Sequence, residues 1–283
     1  MERILLQLSY NGADFQGFQI QNEGRTVQYE LERILKRMHK DFIRIHPSSR
    51  TDRGVHALMQ YAHFDTPLSL PTNKWQHAFN SALPDDIYIN EVTKINADFH
   101  SRYDCVGKAY RYKVYKAPHR DVLKRGIETH ITETLDTRKM NEAAQFFIGT
   151  HDFTSFCSAK TEIENKERTM YKFEVIETDT GYEFFVIGSG FLYNMVRIMV
   201  HFLMDVGRGK RQGSEIPEII AASDRTKAGK TAPAEGLYLE KIYLSPEELA
   251  QDIPKGTTIT LKPTRRQLIH NLKSVITNSN KNK

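Results

Sequence analysis

Cysteine is scarce in this 283-residue chain: Cys105 and Cys157 are the only two. They form no C-x-x-C pair and have no metal-ligand spacing, so neither a disulfide scaffold nor a cysteine-based zinc site is expected. Two reduced core thiols are the expectation. Long apolar runs are also missing. No stretch approaches the roughly 18 residues that suggest a membrane span. The opening MERILLQLSY has too short an apolar stretch, and no small-residue cleavage site, for a signal peptide. A soluble, cytoplasmic protein is expected. No Walker A loop, G-x-G-x-x-G fingerprint or zinc pattern is present, so no cofactor and no metal are implied. Charge of one sign does not dominate either. The net charge is +5, from 40 basic and 35 acidic residues. Residues 251–283 hold seven of the bases and one acid, Asp252, which leaves 33 bases and 34 acids in the first 250 residues. A polyanion partner therefore needs local patches and does not follow from the net charge.

What is present is enough for a core: 39% hydrophobic and 10% aromatic residues. RILLQLSY (3–10) alternates at period two and predicts a strand. TVQYELERILKRMHK (26–40) puts Val27, Leu31, Ile34, Leu35 and Met38 on one helical face, with Thr26 as N-cap. FIRIH (42–46) and VHALMQYAHF (55–64) read as strands, TNKWQHAFNSAL (72–83) as a helix and IYINEVTKI (87–95) as a strand. The order is β-α-β-β-α-β, a ferredoxin-like unit. The second half repeats it with longer connections: a strand at 109–116, a helix at 137–149, two strands joined by a tight turn around Asp179, Thr180 and Gly181, a strongly apolar helix at 191–207 and a strand at 237–244. The fold class expected is α+β, with an N-terminal lobe at 1–104, a second lobe at 105–247 and a cleft between them. Residues 248–283 read as a basic extension, with a short helix in TRRQLIHNLKSVI and a frayed end in TNSNKNK.

Three features suggest chemistry. In SSRTDRGVHA (48–57), Asp52 lies between Arg50 and Arg53, with His46 and His56 close by in sequence. These cations would lower its pKa and suit a nucleophile or base. The alternative is an aspartate that hydrogen-bonds its own turn. In FHSRYDCVGKAYRYKVYK (99–116), bases alternate with tyrosines. An extended strand puts Lys108, Tyr110 and Tyr112 on one face and Arg111, Lys113 and Tyr115 on the other. Tyrosine faces stack on unpaired bases and cations hold phosphates, or the tyrosines are core and the bases solvated. Arg197 interrupts the apolar helix three residues after Asn194. It either snorkels to the surface or pairs with a carboxylate, for which Asp52 is the natural candidate. His151 in HDFTSFC and the bases of GRGKR (207–211) are weaker candidates for a site.

Six ordered segments resemble the tRNA pseudouridine synthase A (TruA) family: YNGADFQGFQIQ (10–21), SSRTDRGVHA, FHSRYDCVGKAYRY (99–112), HDFTSF (151–156), GFLYNMVR (190–197) and TAPAEGLYL (231–239). The resemblance implies two ferredoxin-like lobes sharing a mainly antiparallel sheet, with an active-site cleft between them. It implies a homodimer that converts uridine to pseudouridine at positions 38–40 of the tRNA anticodon stem-loop, without a cofactor. It makes Asp52 the catalytic aspartate, Arg197 its partner and Tyr110 the residue that stacks on the uracil and serves in proton removal. Arg50 corresponds to the motif arginine at the displaced nucleotide, and Arg53, His100, Arg102, Lys108 and Arg111 are the further RNA contacts expected. Ser49 stands where the family usually has glycine, Phe18 where tryptophan is common, Asn11 where aspartate is common and Ser101 where alanine is usual. A paralogue acting at another tRNA or rRNA site, or a non-catalytic RNA-binding or chaperone protein of the same fold, fits the same pattern.

Overall fold

The computed structural model describes residues 1–259, so the basic helix and frayed end expected after residue 263 lie outside the described residues. β1 (Glu2–Tyr10) buries Ile4, Leu6 and Leu8 at the expected period. α1 (Val27–His39) starts where the Thr26 hydroxyl accepts the Tyr29 N–H at 3.3 Å, and it buries Val27, Leu31, Ile34 and Leu35. The strand expected over 42–46 does not form. Only β2 (His46–Pro47) pairs, antiparallel to β3 (His56–Thr66). The reason lies in α1. The Glu32 carboxylate takes the Ile45 N–H at 3.0 Å, and the Gln28 amide donates to the Ile45 carbonyl at 3.4 Å. Side chains satisfy this backbone in place of a ladder. α2 (Thr72–Asn80) is shorter than expected and buries Trp75 and Phe79, and β4 (Ile87–Ile95) closes the first half.

The second half opens with β5 (Gly107–Lys116), followed by an unforeseen three-residue strand, β6 (Thr129–Ile131). α3 (Thr137–Ala144) and one 3₁₀ turn lead into β7 (Gly149–Asp152). β8 (Glu167–Thr178) and β9 (Gly181–Gly188) are joined through Asp179 and Thr180. α4 (Met195–Gly207) begins four residues later than its apolar pattern suggests, because Asn194 is left-handed (φ 61°) and forms the break. α5 (Ile216–Ala222), β10 (Leu237–Tyr243) and α6 (Pro246–Asp252) follow.

All ten strands join one sheet in the order β4-β1-β3-β10-β5-β9-β8-β7, with β2 beside β3 and β6 beside β5. Among the described residues, pairing is antiparallel except at β3/β10 and β5/β6. The two halves meet at β10. It pairs with β3 only through Tyr238↔His56 and Leu239↔Ala57, but with β5 over six positions. One face of the sheet carries the main core, where Leu31, Trp75, Met140 and Met199 from the helices meet Leu6, Phe64, Tyr112 and Phe184. On the other face Ala109, Ile187 and Tyr243 are covered by Leu249 of α6 and by Ile253. Alternation along β5 explains the division, since Ala109 and Tyr110 point to opposite sides. α6 thus spans the expected start of the extension at 248 and packs on the sheet.

Candidate active site

The 48–55 segment leads from β2 into β3 and is anchored by its main chain. Phe18 N–H donates to the Thr51 carbonyl at 3.1 Å, Gly54 N–H to Phe15 at 3.3 Å and Val55 N–H to Asp52 at 3.1 Å. Gly54 adopts φ 77°, which turns the chain immediately after Asp52 and Arg53. Gly17, at φ 98°, backs the turn so closely that a Cβ there would lie 2.8 Å from the Thr51 carbonyl oxygen. His56 ties three motifs together. Its Nδ1 accepts the Gly12 N–H at 3.0 Å, and its Nε2 donates to the Glu235 carbonyl at 3.1 Å. These two bonds fix the neutral ring, and burial lowers its pKa.

Asp52 therefore sits on a braced turn, facing the first turn of α4. The Arg197 Nη1 is 3.8 Å from Asp52 Oδ2, so of the two readings of this arginine, the structure holds the carboxylate pairing. Arg197 does not close onto the carboxylate because other acceptors hold it. Its Nε donates to the Ala232 carbonyl at 2.7 Å and its Nη1 to Asn194 Oδ1 at 2.8 Å. The Asp52 oxygens keep a charge partner without a tight bidentate bond. The sequence expectation of a lowered Asp52 pKa is overturned. Burial pushes the carboxyl up to about 6, and Arg197 opposes the rise. The cations adjacent in sequence do not help. Arg50 and Arg53 are exposed, His56 is committed to Gly12 and Glu235, and His46 stacks on His63 with ring centroids 5.1 Å apart.

Asp52 and Tyr110 line one cleft of about 580 Å³, with Arg50, Arg53, Arg102 and Lys108 along it. Tyr110 is 6% exposed; its ring meets Phe191 edge-on at 5.0 Å, and its hydroxyl lies 3.0 Å from Ser49 Oγ. Burial raises the phenol well above its ordinary value, so it is a neutral aromatic surface in the cleft. Lys108 Nζ donates to the Ser48 carbonyl at 2.8 Å, and desolvation lowers its pKa. No ion pair involves Arg50, Arg53, Arg102 or Lys108 among the described residues. Lys160–Ile163, Phe191–Val196 and Gln16, Gln19 and Gln21 add to the wall.

Two expected RNA contacts are not brought to the cleft. Arg111 points from the opposite face of β5, where Glu240 holds its Nε and Nη2 at 3.0 Å and Glu183 its Nη1 at 2.6 Å. Its charge is neutralised there. His100 packs between His63, at 4.6 Å between ring centroids, and Tyr103, at 4.4 Å. His151 is also remote: it lies in β7 with its Nε2 on the Ile148 carbonyl at 2.9 Å, beside a cluster of Phe147, Phe153 and Phe156. His151 thus packs on an aromatic cluster and does not line the cleft. Sequence reasoning missed Gln60 and the 160–163 wall. It noted Ser49 only as a departure from family pattern. A buried glutamine at an inward position of a strand was the one available signal for Gln60.

Comparison with known proteins shows the family. A family profile described as tRNA pseudouridine synthase matches residues 8–104 and 143–243. A tRNA pseudouridine synthase A from Staphylococcus carnosus (strain TM300) is 64% identical over 250 residues, covering 88% of this chain and 94% of that one. One from Staphylococcus saprophyticus is 58% identical over 266 residues, covering 94% and 100%. One from Staphylococcus aureus (strain Newman) is 60% identical over 260 residues, covering 92% and 97%. With two thirds of its residues inside the profile and relatives matched along nearly their whole length, the chain belongs to the tRNA pseudouridine synthase A family of isomerases.

Proposed function

We propose that this protein isomerises uridine to pseudouridine at positions 38–40 of the tRNA anticodon stem-loop, with Asp52 as the catalytic residue. The observation that carries the reading is a half-buried carboxylate, 3.8 Å from Arg197, on a cleft that it shares with Tyr110 and with cations that make no ion pair among the described residues. The reaction breaks the C1′–N1 bond, turns the uracil and joins C5 to C1′. C5 loses a proton and N1 gains one, so atoms balance without water or redox partner. With its pKa near 6, Asp52 is largely ionised at pH 7. It attacks C1′ or takes the 2′ proton; either route needs the ionised form. Arg197 holds the charge in place at 3.8 Å without capping the oxygens.

The uridine must leave its stack to reach Asp52, which costs a few kcal/mol. Tyr110 offers the ring on which the uracil stacks and the oxygen that takes the C5 proton. Arg50, Arg53, Arg102 and Lys108 hold the phosphates around the displaced nucleotide. We read the strand orders β4-β1-β3-β2 and β10-β5-β9-β8 as two ferredoxin-like lobes, 1–104 and 105–247, with the cleft at their junction. Membership of the family supports a homodimer, and light scattering on the purified protein tests it. No helix among the described residues is long and apolar enough to cross a membrane, and we place the enzyme in the cytoplasm with its tRNA. The test of the target is pseudouridine mapping on transcribed tRNAs treated with the protein. Modification at 38–40 is expected. Modification only at other tRNA or rRNA sites would overturn the assignment of position while leaving the chemistry.

A further inference from the structure

Ser49 is 7% exposed and has one side-chain partner, the Tyr110 hydroxyl, 3.0 Å away. Its backbone is held from behind by Gln60, a fully buried side chain on β3. The Gln60 amide accepts the Ser49 N–H at 3.1 Å and donates to the Ser49 carbonyl at 2.8 Å. This two-point clamp fixes the Ser49 main chain, and with it the direction of the hydroxyl. Tyr110 comes from β5, two strands away across β10, so the contact bridges the two halves of the sheet inside the cleft. Phe191 meets the ring edge-on, with centroids 5.0 Å apart.

We propose that Ser49 is a positioning residue for Tyr110, orienting its phenol oxygen in the cleft and donating a hydrogen bond to it when it is ionised. The inference rests on the reading of Tyr110 as the group that takes the C5 proton. A hydroxyl that donates to the ionised oxygen favours that form and offsets part of the cost of burial. In the step itself, the Tyr110 hydroxyl gives its proton to N1 of the detached uracil, the phenolate takes the proton from C5, the C5–H electrons restore the uracil double bond, and Ser49 keeps its own proton throughout. Gln60 supports the arrangement through the Ser49 backbone and does not touch the phenol.

The test is tritium release from C5-tritiated uridine in a transcribed tRNA, with wild type, Ser49→Ala and each of these carrying a fluorotyrosine at position 110. Loss of one hydrogen bond to an ionised oxygen is expected to lower kcat about tenfold in Ser49→Ala and to leave KM within about twofold. A fluorinated phenol ionises more readily, so it is expected to speed Ser49→Ala by a larger factor than it speeds wild type. A purely structural effect of the serine would not respond to phenol acidity. A kcat for Ser49→Ala within twofold of wild type, or an equal fluorotyrosine effect in the two backgrounds, would overturn the proposal. Failure of the functional reading is separate: wild type would then release no tritium from tRNA at all.

Discussion

At the residue scale, the proposed chemistry turns on where the charge of Asp52 is held. Its neighbours in sequence suggested a depressed pKa, but burial outweighs charge there, and among the described residues the cation that pairs with it is Arg197, on a different element. Sequence gives the presence of charges but not their direction, which is why the sign of the shift was not legible. The raised value has a consequence for stability. Between the ordinary 3.8 and about 6 the folded state binds the proton more tightly than the unfolded chain, so wild type loses stability as pH rises through 6. Asp52→Asn removes that dependence. It is expected to be more stable than wild type at pH 7 by on the order of 1–2 kcal/mol, a figure reduced because 27% of the side chain is exposed. Thermal melts at pH 7 and pH 4 check this, since the difference should vanish at pH 4. Activity should have an acid limb near pH 6, and Arg197→Met should shift that limb to higher pH while lowering kcat. A limb that stays in place would show that Arg197 does not set the charge of Asp52.

At the element scale, the regular segments followed their periodicities, and the exceptions have local causes. α1, β1, β3 and β4 were legible because one buried face imposes a clear period. FIRIH failed as a strand because Glu32 and Gln28 on α1 take its backbone groups, a tertiary contact that alternation cannot report. β6 and β7 are three and four residues long, too short to leave a pattern. The active loop is held by similar cross-element bonds. His56→Leu should leave the Gly12 N–H and the Glu235 carbonyl without partners, which costs about 1–3 kcal/mol for each buried group left unpaired. A lower Tm together with a lower kcat is the expected result. A loss of stability with kcat intact would mean that the loop carrying Asp52 keeps its position without this bracket.

At the scale of the whole molecule, the near-neutral body and the basic cleft act together. The cations Arg50, Arg53, Arg102 and Lys108 line the same cleft as Asp52 and Tyr110. Arg102→Ala should weaken tRNA binding similarly across tRNA sequences and lower the salt slope of log Kd by about 1. Removal of residues 260–283, which hold six bases and no acid, should flatten the slope further. Equal slopes before and after truncation would deny the tail a part in binding. By periodicity the sheet was legible only as two units, and its sharing was expected from the family resemblance alone. That a single strand, β10, joins them depends on the two-position pairing with β3, which no local pattern encodes.

The most direct measurement is tritium release from C5-tritiated uridine in tRNA by Asp52→Ala, made alongside a tRNA-binding measurement on the same variant. No release above the enzyme-free level, with binding retained, is the predicted result. Release at the wild-type rate would contradict the assignment of Asp52 as the catalytic residue.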